Sequence, residues 1–295
     1  MAAPLHAAQY ADEAVQERVE LVENVSTARD VYRARFHCPE MARRILPGQF
    51  LMLRLADCDD PLIGRPLALY DTVPDLDGQP AAIDVVYLVA GKMTSYLARC
   101  GAGQALDVWG PLGNGFSQSP VDHLIMVAGG IGHTPLLALA QQILGKKTYG
   151  SVGNGANSIP ARLAGRVTLC YGAKDAGYLS GIEDFKAAGV EVRLATDNGS
   201  AGRHGFVTDL LRESVQEEAG SVRVACCGPE PMMEAVAEIT NARRVPCEVS
   251  LETPMACGIG ICFTCVARVR QEDGSWDYKR TCVDGPVFAA ENVCW

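Results

Sequence analysis

The spacing of four cysteines near the C-terminal end limits the fold of this chain more than any other feature. The pattern C-x4-C-x2-C-x16-C is formed by Cys257, Cys262, Cys265 and Cys282. Gly258 and Gly260 lie between the first two cysteines, where they let the backbone curl and direct N–H groups toward the sulfurs. This segment must therefore fold so that its thiolates surround one inorganic centre.

The same spacing is typical of plant-type ferredoxins, whose four thiolates bind a 2Fe-2S cluster. Zinc is the alternative. A structural zinc site usually takes two separated C-x2-C pairs, however, and only Cys262 and Cys265 are spaced in that way. We therefore predict that the four cysteines are the metal ligands of a 2Fe-2S cluster. A carrier of single electrons implies a donor on one side and an acceptor on the other.

The composition indicates a globular chain that is not exported. With 295 residues, 48% of them hydrophobic and 21% charged, the chain can form two or three domains. A net charge of −9 without a basic stripe argues against nucleic acid as a partner. No stretch approaches the roughly 18 apolar residues of a membrane-spanning helix, and no signal-peptide pattern is present. Twelve cysteines in such a chain favour a reducing compartment, so we expect it in the cytoplasm.

Two patterns divide the chain into an all-β part and an α/β part. Residues 1–17 are predicted to be a flexible leader. Residues 18–118 contain short β segments separated by Gly, Pro and Asp turns, which predicts a small antiparallel barrel. The clearest of these segments span residues 32–37, 49–55, 83–89 and 105–109.

Strands and helices alternate over residues 119–246, which predicts a parallel sheet with helices on both faces. The predicted strands span residues 123–128, 167–171, 190–196 and 222–227, and the first predicted helix spans 135–144. Residues 145–165 form a Gly/Asn/Ser-rich insertion that we expect to be an exposed loop. Residues 247–295 are predicted to form the small cluster module.

A glycine turn, Gly129-Gly130-Ile131-Gly132, follows the first strand of the α/β part. Gly130 and Gly132 would allow the backbone to approach a pyrophosphate, and Thr134 is predicted to cap the following helix. The match to G-x-G-x-x-G is incomplete, so a turn without a ligand remains an alternative. His133 is predicted to be a polar surface or loop residue.

A second turn, Cys227-Gly228-Pro229-Glu230-Pro231-Met232, follows the last predicted strand and resembles the C-G-P-x-P-M turn of the ferredoxin–NAD(P) reductase superfamily. The resemblance implies that Gly228 and Pro229 lie beside the nicotinamide of NAD. It also makes Cys227 a candidate catalytic residue of that pocket; the alternative is a small core residue. Asp175 would accept a hydrogen bond from the ribose 2′-hydroxyl and favour NADH, whereas Lys174 argues weakly for NADPH.

Two segments of the barrel part resemble the flavin motifs of the same superfamily. Arg65-Pro66-Leu67-Ala68 resembles R-P-x-S/T, which implies that Arg65 pairs with the FAD pyrophosphate. Gly91-Lys92-Met93-Thr94 resembles G-x-x-T and would supply backbone and hydroxyl donors to the phosphates, with Val86-Tyr87-Leu88 flanking the flavin or its ribityl chain. Ala68 departs from the family's Ser or Thr. The alternative is that Arg65 is a surface ion-pair residue and Gly91 a hairpin turn.

The order of these motifs resembles the electron-transfer subunits of class 1B dihydroorotate dehydrogenases, from about residue 18 to 295. Two further motifs are more specific to this group, G-P-L-G-N-G-F at 110–116 and C-x-D-G-P-V-F at 282–288. The resemblance implies that electrons pass between NAD, FAD, the 2Fe-2S cluster and the FMN of a separate catalytic subunit, in a heterotetramer of two copies of each chain that serves pyrimidine biosynthesis.

Two alternatives keep parts of this prediction. An electron-transfer subunit of a hydrogenase or of a ferredoxin/NADPH transhydrogenase would share the cofactors and differ in the acceptor. A protein of another class, a non-catalytic zinc-binding module that senses nucleotides, would share only the nucleotide site.

Overall fold

The computed structural model describes residues 11–150, 161–216 and 220–295. In these ranges the strands form two seven-stranded sheets and one two-stranded hairpin. The first sheet is antiparallel and the second is mostly parallel, as predicted for a barrel followed by an α/β domain.

The first sheet closes into a barrel. Its strands are β1 (Val15–Ala28), β2 (Val31–His37), β3 (Phe50–Leu55), β4 (Arg65–Ala68), β5 (Asp71–Pro74), β6 (Pro80–Leu88) and β7 (Ala105–Leu112), in the order β4-β3-β7-β1-β2-β6-β5. The edge strands β4 and β5 are separated by only two residues. Leu69 N–H donates to the Gln49 carbonyl at 3.0 Å and Tyr70 N–H to the Asp84 carbonyl at 3.0 Å, so the chain crosses from one edge of the sheet to the other. Two short helices, α1 (Pro39–Arg44) and α2 (Lys92–Leu97), accompany it.

The second sheet has helices on both faces. Its strands are β8 (Val121–Gly129), β9 (Ala164–Ala173), β10 (Glu191–Thr196), β11 (Arg203–His204), β12 (Val222–Cys227) and β13 (Cys247–Ser250), joined by the later strand Val287–Ala289 at its edge. Its helices are α3 (Leu136–Ile143), α4 (Ile182–Ala187), α5 (Val207–Gln216) and α6 (Glu230–Arg243).

Alternate residues of β8 pack on opposite faces of this sheet. Leu124 and Met126 belong to the core formed with α3 and α4, whereas Ile125 and Val127 belong to the core formed with α5 and α6. The near-continuous apolar run in the sequence is therefore a strand buried on both faces, which is the normal state in a doubly covered parallel sheet.

The C-terminal residues form a hairpin and return to the sheet. The hairpin consists of β14 (Val266–Arg270) and β15 (Trp276–Arg280), and β16 (Val287–Ala289) pairs antiparallel with β13. Strands β13 and β16 thus belong to the second sheet although the sequence assigned them to the cluster module. The proposed domain boundaries at 118 and 246 remain predictions.

Two expectations about loops are wrong within the described residues. Residues 15–17 are not a leader but the start of β1, paired with β7 from Val15 opposite Gly110, because the partly buried Val15 packs on the barrel core. The part of the insertion before residue 151 is not simply exposed, since Tyr149 is buried and its hydroxyl donates to Asp71 at 2.7 Å. Residues 1–10 and 151–160 lie outside the described residues.

The barrel and the α/β part share a continuous interface. Tyr70 and Val86 of the barrel lie in the same apolar core as Leu136 and Phe185 of the α/β part. The Tyr70 hydroxyl donates to Asp184 at 2.6 Å, which adds a charged hydrogen bond across the interface. No helix in the described ranges is long and apolar enough to cross a membrane.

Candidate functional site

Two turns meet at the carboxyl ends of neighbouring parallel strands. Strands β8 and β12 are paired so that Ala128 lies opposite Cys227. Each strand ends close to this pair and leads into a turn. From β8 the chain continues to β9 and β10 on one side, and β12 lies on the other. This is the switch point of strand order at which open α/β sheets bind their ligands.

Glycine is needed in these turns for two different physical reasons, close packing at some positions and a left-handed backbone at another. A Cβ on Gly132 would lie 2.2 Å from the carbonyl oxygen of Cys227, and one on Gly129 would lie 2.6 Å from Met232 Sδ. These two glycines let the two turns interlock. Gly130 has a left-handed φ of 55° and open space where a Cβ would point. Gly132 is thus packed against Cys227, while Gly130 borders free space that suits a ligand, and the contact of both glycines with the dinucleotide stays a prediction.

Thr134 does not cap the helix as predicted. The chain is already helical at Gly130–His133, so Thr134 has a φ of −59°, and its N–H donates to the Ile131 carbonyl at 3.1 Å. The cap position of α3 falls on Pro135, and no side chain caps it. Thr134 is buried beside the glycine turn instead.

His133 is fully buried, contrary to its prediction as a surface residue. Its Nδ1 lies 3.1 Å from the Gly130 carbonyl and 3.2 Å from the Tyr171 hydroxyl. Burial lowers the pKa of His133 to about 4, so the ring is neutral at physiological pH. The ring therefore supports the glycine turn from inside.

Cys227 lies at the floor of the crevice with 3% of its surface exposed. Burial raises the pKa of its thiol, and the nearby Glu252 raises it further, so the group is a neutral thiol and not a thiolate. Such a group can shape the nicotinamide pocket by packing, and it is not a nucleophile at neutral pH.

Asp175 lies at the carboxyl end of β9, where the sequence placed it. Its carboxylate accepts from Gly177 N–H at 2.8 Å and pairs with Arg29 of the barrel at 3.0 Å. The side chain remains 25% exposed, which leaves part of the carboxylate open to a ribose hydroxyl. Sequence reasoning missed Arg29, because its contact with Asp175 joins residues 146 positions apart.

Arg65 is half-buried in β4, where its guanidinium has no carboxylate partner within the described ranges. Its Nη1 donates to the carbonyls of Ile63 and Gly64, both at 3.1 Å. The remaining N–H groups can bind an anion such as a pyrophosphate. The residues of this strand therefore fit the FAD phosphates, and the alternative of a surface ion pair finds no partner here.

The side chains of Val86 and Tyr87 do not line an open surface. Val86 is buried against the α/β part and Tyr87 inside the barrel, where its hydroxyl donates to Asn24 at 3.0 Å. Strand β6 is covered on both faces, so of the predicted flavin-flanking residues only Leu88 has a partly accessible side chain. The Val86 and Tyr87 side chains thus point into the protein, and contact of this segment with the flavin or its ribityl chain stays a prediction.

The G-x-x-T segment forms a turn whose hydroxyl is already used. Thr94 Oγ1 accepts from the Ala90 and Gly91 N–H groups at 3.0 and 3.2 Å and donates to the Gly91 carbonyl at 3.1 Å. Met93 is fully buried in the barrel core. Thr94 thus shapes the turn and is not a free donor to phosphate. Gly91 has open space where a Cβ would point, as a backbone contact with a ligand requires.

The four cysteines lie together as two pairs. Cys265 Sγ lies 3.1 Å from Cys282 Sγ, and Cys262 is hydrogen-bonded to Cys257. Within the described ranges no three His, Cys, Asp or Glu side chains converge as around one metal ion. Two pairs suit two irons, each held by two thiolates, better than one zinc ion surrounded by four.

Local hydrogen bonds favour thiolates in this loop. Thr264 lowers the pKa of the exposed Cys262 to about 6, and the hydrogen bond from Cys282 lowers that of the buried Cys265 to about 6. The Cys265 thiolate in turn raises the pKa of Cys282. Deprotonated sulfur is the form that binds iron.

The backbone of the cluster loop (residues 255–265) is tightly curled. Gly258 and Gly260 have left-handed φ angles of 74° and 81°, as predicted for a loop that wraps around its centre. Phe263 also has a positive φ of 57°, which is unusual for a bulky residue and is found at functional sites. Arg280 lies 5.2 Å above the Phe263 ring and donates to the Gly260 carbonyl at 2.8 Å, fixing the loop from outside.

The cluster loop packs against the barrel and borders a cleft of about 700 Å³. Gly258 lies against Met52 of β3, and Trp109 of β7 donates its indole N–H to the Cys257 carbonyl at 2.9 Å. The cleft is lined by Ala11 and residues 14–16, by Arg54 and Trp109, by residues 62–64 and by the cluster loop itself. The strand that carries Arg65 and the loop that carries the cysteines thus lie on the same side of the barrel.

This fold and these sites define a flavin- and NAD-linked iron–sulfur oxidoreductase of the ferredoxin reductase type. Three family models match the chain: an oxidoreductase FAD-binding domain over residues 18–116, an oxidoreductase NAD-binding domain over 126–238, and the iron–sulfur cluster binding domain of dihydroorotate dehydrogenase B over 252–294. The cofactors of the chain are therefore FAD, NAD and an iron–sulfur cluster.

The chain belongs to the family of the electron transfer subunits of dihydroorotate dehydrogenase B (NAD(+)). It is 34% identical to that subunit from Caldanaerobacter subterraneus subsp. tengcongensis over 94% of this chain and 97% of the relative. It is 38% identical to that from Geobacillus kaustophilus over 84% and 86%.

Solved structures agree with this fold. The structure of an NADH-dependent reduced ferredoxin-NADP oxidoreductase is 30% identical, with a TM-score of 0.75 over 94% of this chain and 90% of that one. Phthalate dioxygenase reductase shares the fold at 16% identity, with a TM-score of 0.59 over 93% and 95%.

Proposed function

We propose that this chain is the electron-transfer subunit of a dihydroorotate dehydrogenase, and that it carries electrons between a catalytic partner subunit and NAD+ in pyrimidine biosynthesis. The observation that carries the proposal is the direct packing of the cluster loop on the barrel strands beside the flavin-binding strand. Met52 and Trp109 contact Gly258 and Cys257 there. Such contact gives electrons a short path between two cofactors.

The residues have distinct tasks in this function. Bound FAD supplies a carrier that takes two electrons together and releases them singly, and a bound 2Fe-2S cluster supplies a one-electron relay. Arg65 provides the positive charge for the FAD pyrophosphate. Gly91 and Gly130 leave room for backbone contacts with FAD and with the dinucleotide. The four cysteines hold the cluster.

The NAD end is held by the two interlocked turns. Gly228 and Pro229 would hold the nicotinamide near the buried Cys227, whose neutral thiol would add no charge to that pocket. Asp175 accepts from the ribose 2′-hydroxyl and would repel a 2′-phosphate, which favours NADH over NADPH.

The partner is proposed to be an FMN-containing catalytic subunit, in a heterotetramer of two copies of each chain in the cytoplasm. Cys262 is exposed, and the apolar side chains of Ile261 and Phe263 beside it are 67% and 64% exposed. Leu62 and Ile63, on the border of the cleft, are exposed as well. Apolar surface around an exposed cluster ligand supports docking of a subunit that exchanges electrons there.

The decisive experiment combines this chain with an FMN-containing dihydroorotate dehydrogenase subunit from the same organism and measures dihydroorotate-dependent reduction of NAD+. Cys265→Ser should abolish that activity and retain NADH-dependent reduction of a dye by FAD. Cys100→Ser, on the barrel away from the cluster loop, is the matched control and should retain both. Loss of both activities in Cys265→Ser would contradict the division between flavin and cluster.

A second candidate function is that of an electron-transfer subunit with a different redox partner, such as ferredoxin. The 30% identity to the NADH-dependent reduced ferredoxin-NADP oxidoreductase supports this candidate. If the chain serves a ferredoxin/NADPH transhydrogenase or a hydrogenase, reduced ferredoxin or hydrogen will support NAD(P)+ reduction and dihydroorotate will not. A colourless preparation that contains zinc and no iron would contradict both redox functions.

A further inference from the structure

Trp109 contacts both the flavin-binding strand and the cluster loop. It lies in β7 opposite Gln16 of β1 and Met52 of β3, and its side chain is half-buried in the cleft. At one end its Nε1–H donates to the Cys257 carbonyl at 2.9 Å. At the other end its Cη2 lies 2.8 Å from the position that a Cβ on Gly64 would occupy.

The two contacts of Trp109 lie next to residues assigned to two different cofactors. Gly64 is buried and directly precedes Arg65, the residue assigned to the FAD pyrophosphate. Cys257 is the first cluster ligand. A single rigid indole therefore spans from the backbone of the flavin motif to the backbone of a cysteine ligand.

Both contacts are specific to the shape of tryptophan. Only an indole N–H at that position reaches the Cys257 carbonyl as a donor, since phenylalanine and leucine carry no donor there. Gly64 has no left-handed φ that would require glycine. A Cβ there would lie 2.8 Å from Trp109 Cη2 and 3.1 Å from the Leu53 carbonyl oxygen, so the indole and the backbone of β3 together leave no room for a side chain.

We infer that Trp109 is a positioning residue that fixes the distance between the flavin and the cluster. This inference rests on the proposed electron-transfer function and adds the residue that sets its geometry. Trp109 holds the cluster loop at Cys257 and uses Gly64 as its support on the flavin side. The neighbouring packing of Gly258 on Met52 guides the same loop but supplies no hydrogen bond.

The test compares Trp109→Phe with Trp276→Phe in the complete, cofactor-loaded chain. Trp276 is an exposed tryptophan of the β14–β15 hairpin and serves as the matched control. Amide hydrogen exchange of residues 255–262 should become about two- to tenfold faster in Trp109→Phe, as expected for the loss of one net hydrogen bond, and should stay unchanged in Trp276→Phe. Rapid mixing with NADH should show an unchanged rate of flavin bleaching and a slower rate of cluster bleaching in Trp109→Phe.

A second variant tests the other contact. Gly64→Ala keeps the indole N–H but forces the ring to move, because the new Cβ would lie 2.8 Å from Cη2. It should also speed exchange of residues 255–262, which keeps the inference testable if Trp109→Phe does not fold. Exchange and cluster bleaching in Trp109→Phe equal to those of Trp276→Phe would overturn the inference. If NADH fails to reduce the cluster even in the wild-type chain, the proposed function fails instead, and the exchange comparison still decides the role of Trp109.

Discussion

Replacing Gly132 by alanine tests whether the two turns of the nucleotide site are held together by close backbone contact. The new Cβ would lie 2.2 Å from the Cys227 oxygen, 2.5 Å from its carbonyl carbon and 2.7 Å from the Gly228 nitrogen. All three are backbone atoms at the end of β12, so no side-chain rotation can relieve the overlap. The turns must therefore move apart.

The cost of that movement can be worked out approximately. Inserting a methyl group into a well-packed site costs ~1–3 kcal/mol, and the backbone overlap here places Gly132→Ala toward the upper end. For a domain of 150–250 residues each kcal/mol lowers the melting temperature by ~2–4 °C, so a cost of ~3 kcal/mol corresponds to a drop of ~6–12 °C. NADH should also bind more weakly, since both turns border its site.

Gly130→Ala is the matched control in the same turn. A Cβ there meets nothing within 4 Å, and only the left-handed φ of 55° opposes it, at a cost of ~1 kcal/mol. We expect a small loss of thermal stability but a clear loss of NADH affinity, because the methyl group enters the space reserved for the ligand. Thermal unfolding and NADH titration of both variants check this. A Gly132→Ala protein with the same melting temperature as the wild type would refute the argument from close backbone contact.

Two further changes test the barrel and its interface. Asp107→Asn removes a carboxylate that accepts from Arg18 and Arg54, both at 3.0 Å, and should cost ~1.5–3 kcal/mol at pH 7 in urea unfolding. The hydrogen bond from Arg18 lowers the pKa of Asp107, so its stabilisation is full above its unfolded pKa and is lost as the pH falls through the folded value. The difference from wild type should therefore shrink below about pH 4, and a constant difference would contradict this. Tyr70→Phe removes the 2.6 Å hydrogen bond to Asp184 and should cost ~1 kcal/mol and slow hydride transfer from NADH to FAD, whereas transfer at the wild-type rate would mean that this bond does not align the two parts.

The sequence predicted those features that depend on neighbours along the chain. Each strand proposed in the barrel and in the sheet exists, because short apolar runs between turn residues have few other ways to fold. The cysteine loop was also predictable, since its glycines at 258 and 260 are needed locally for left-handed backbone. Local patterns of this kind need no knowledge of what lies across the molecule.

Several assignments that the structure corrects depend on contacts between distant segments. The side chains of Val86 and Tyr87 are buried because β6 is covered on both faces, and no alternation in sequence reveals a second covering layer. Val15 looked like part of a leader because its partner Gly110 lies far along the chain.

The two motifs that most narrowly identify this family explain each other in three dimensions. Asn114, in G-P-L-G-N-G-F, donates to the Val287 carbonyl at 2.8 Å and accepts from Val287 N–H at 2.9 Å. Its own N–H donates to the Gly285 carbonyl at 2.7 Å, and a Cβ on Gly113 would lie 2.6 Å from that same oxygen. Asn114 and Gly113 of the first motif thus supply the donors, the acceptor and the space by which the second motif is held.

The hydrogen bonds of Asn114 with Val287 and Gly285 also account for the position of the cluster segment. The cluster segment leaves the second sheet at Ser250 and returns to it at Val287, which are paired across the sheet edge. Because Asn114 ties the returning end to the barrel, the excursion between these two points is held against β3 and β7. An electron relay in this chain thus owes its place beside the flavin to a hydrogen-bonded joint between residues 173 positions apart, and not to the ligand spacing alone.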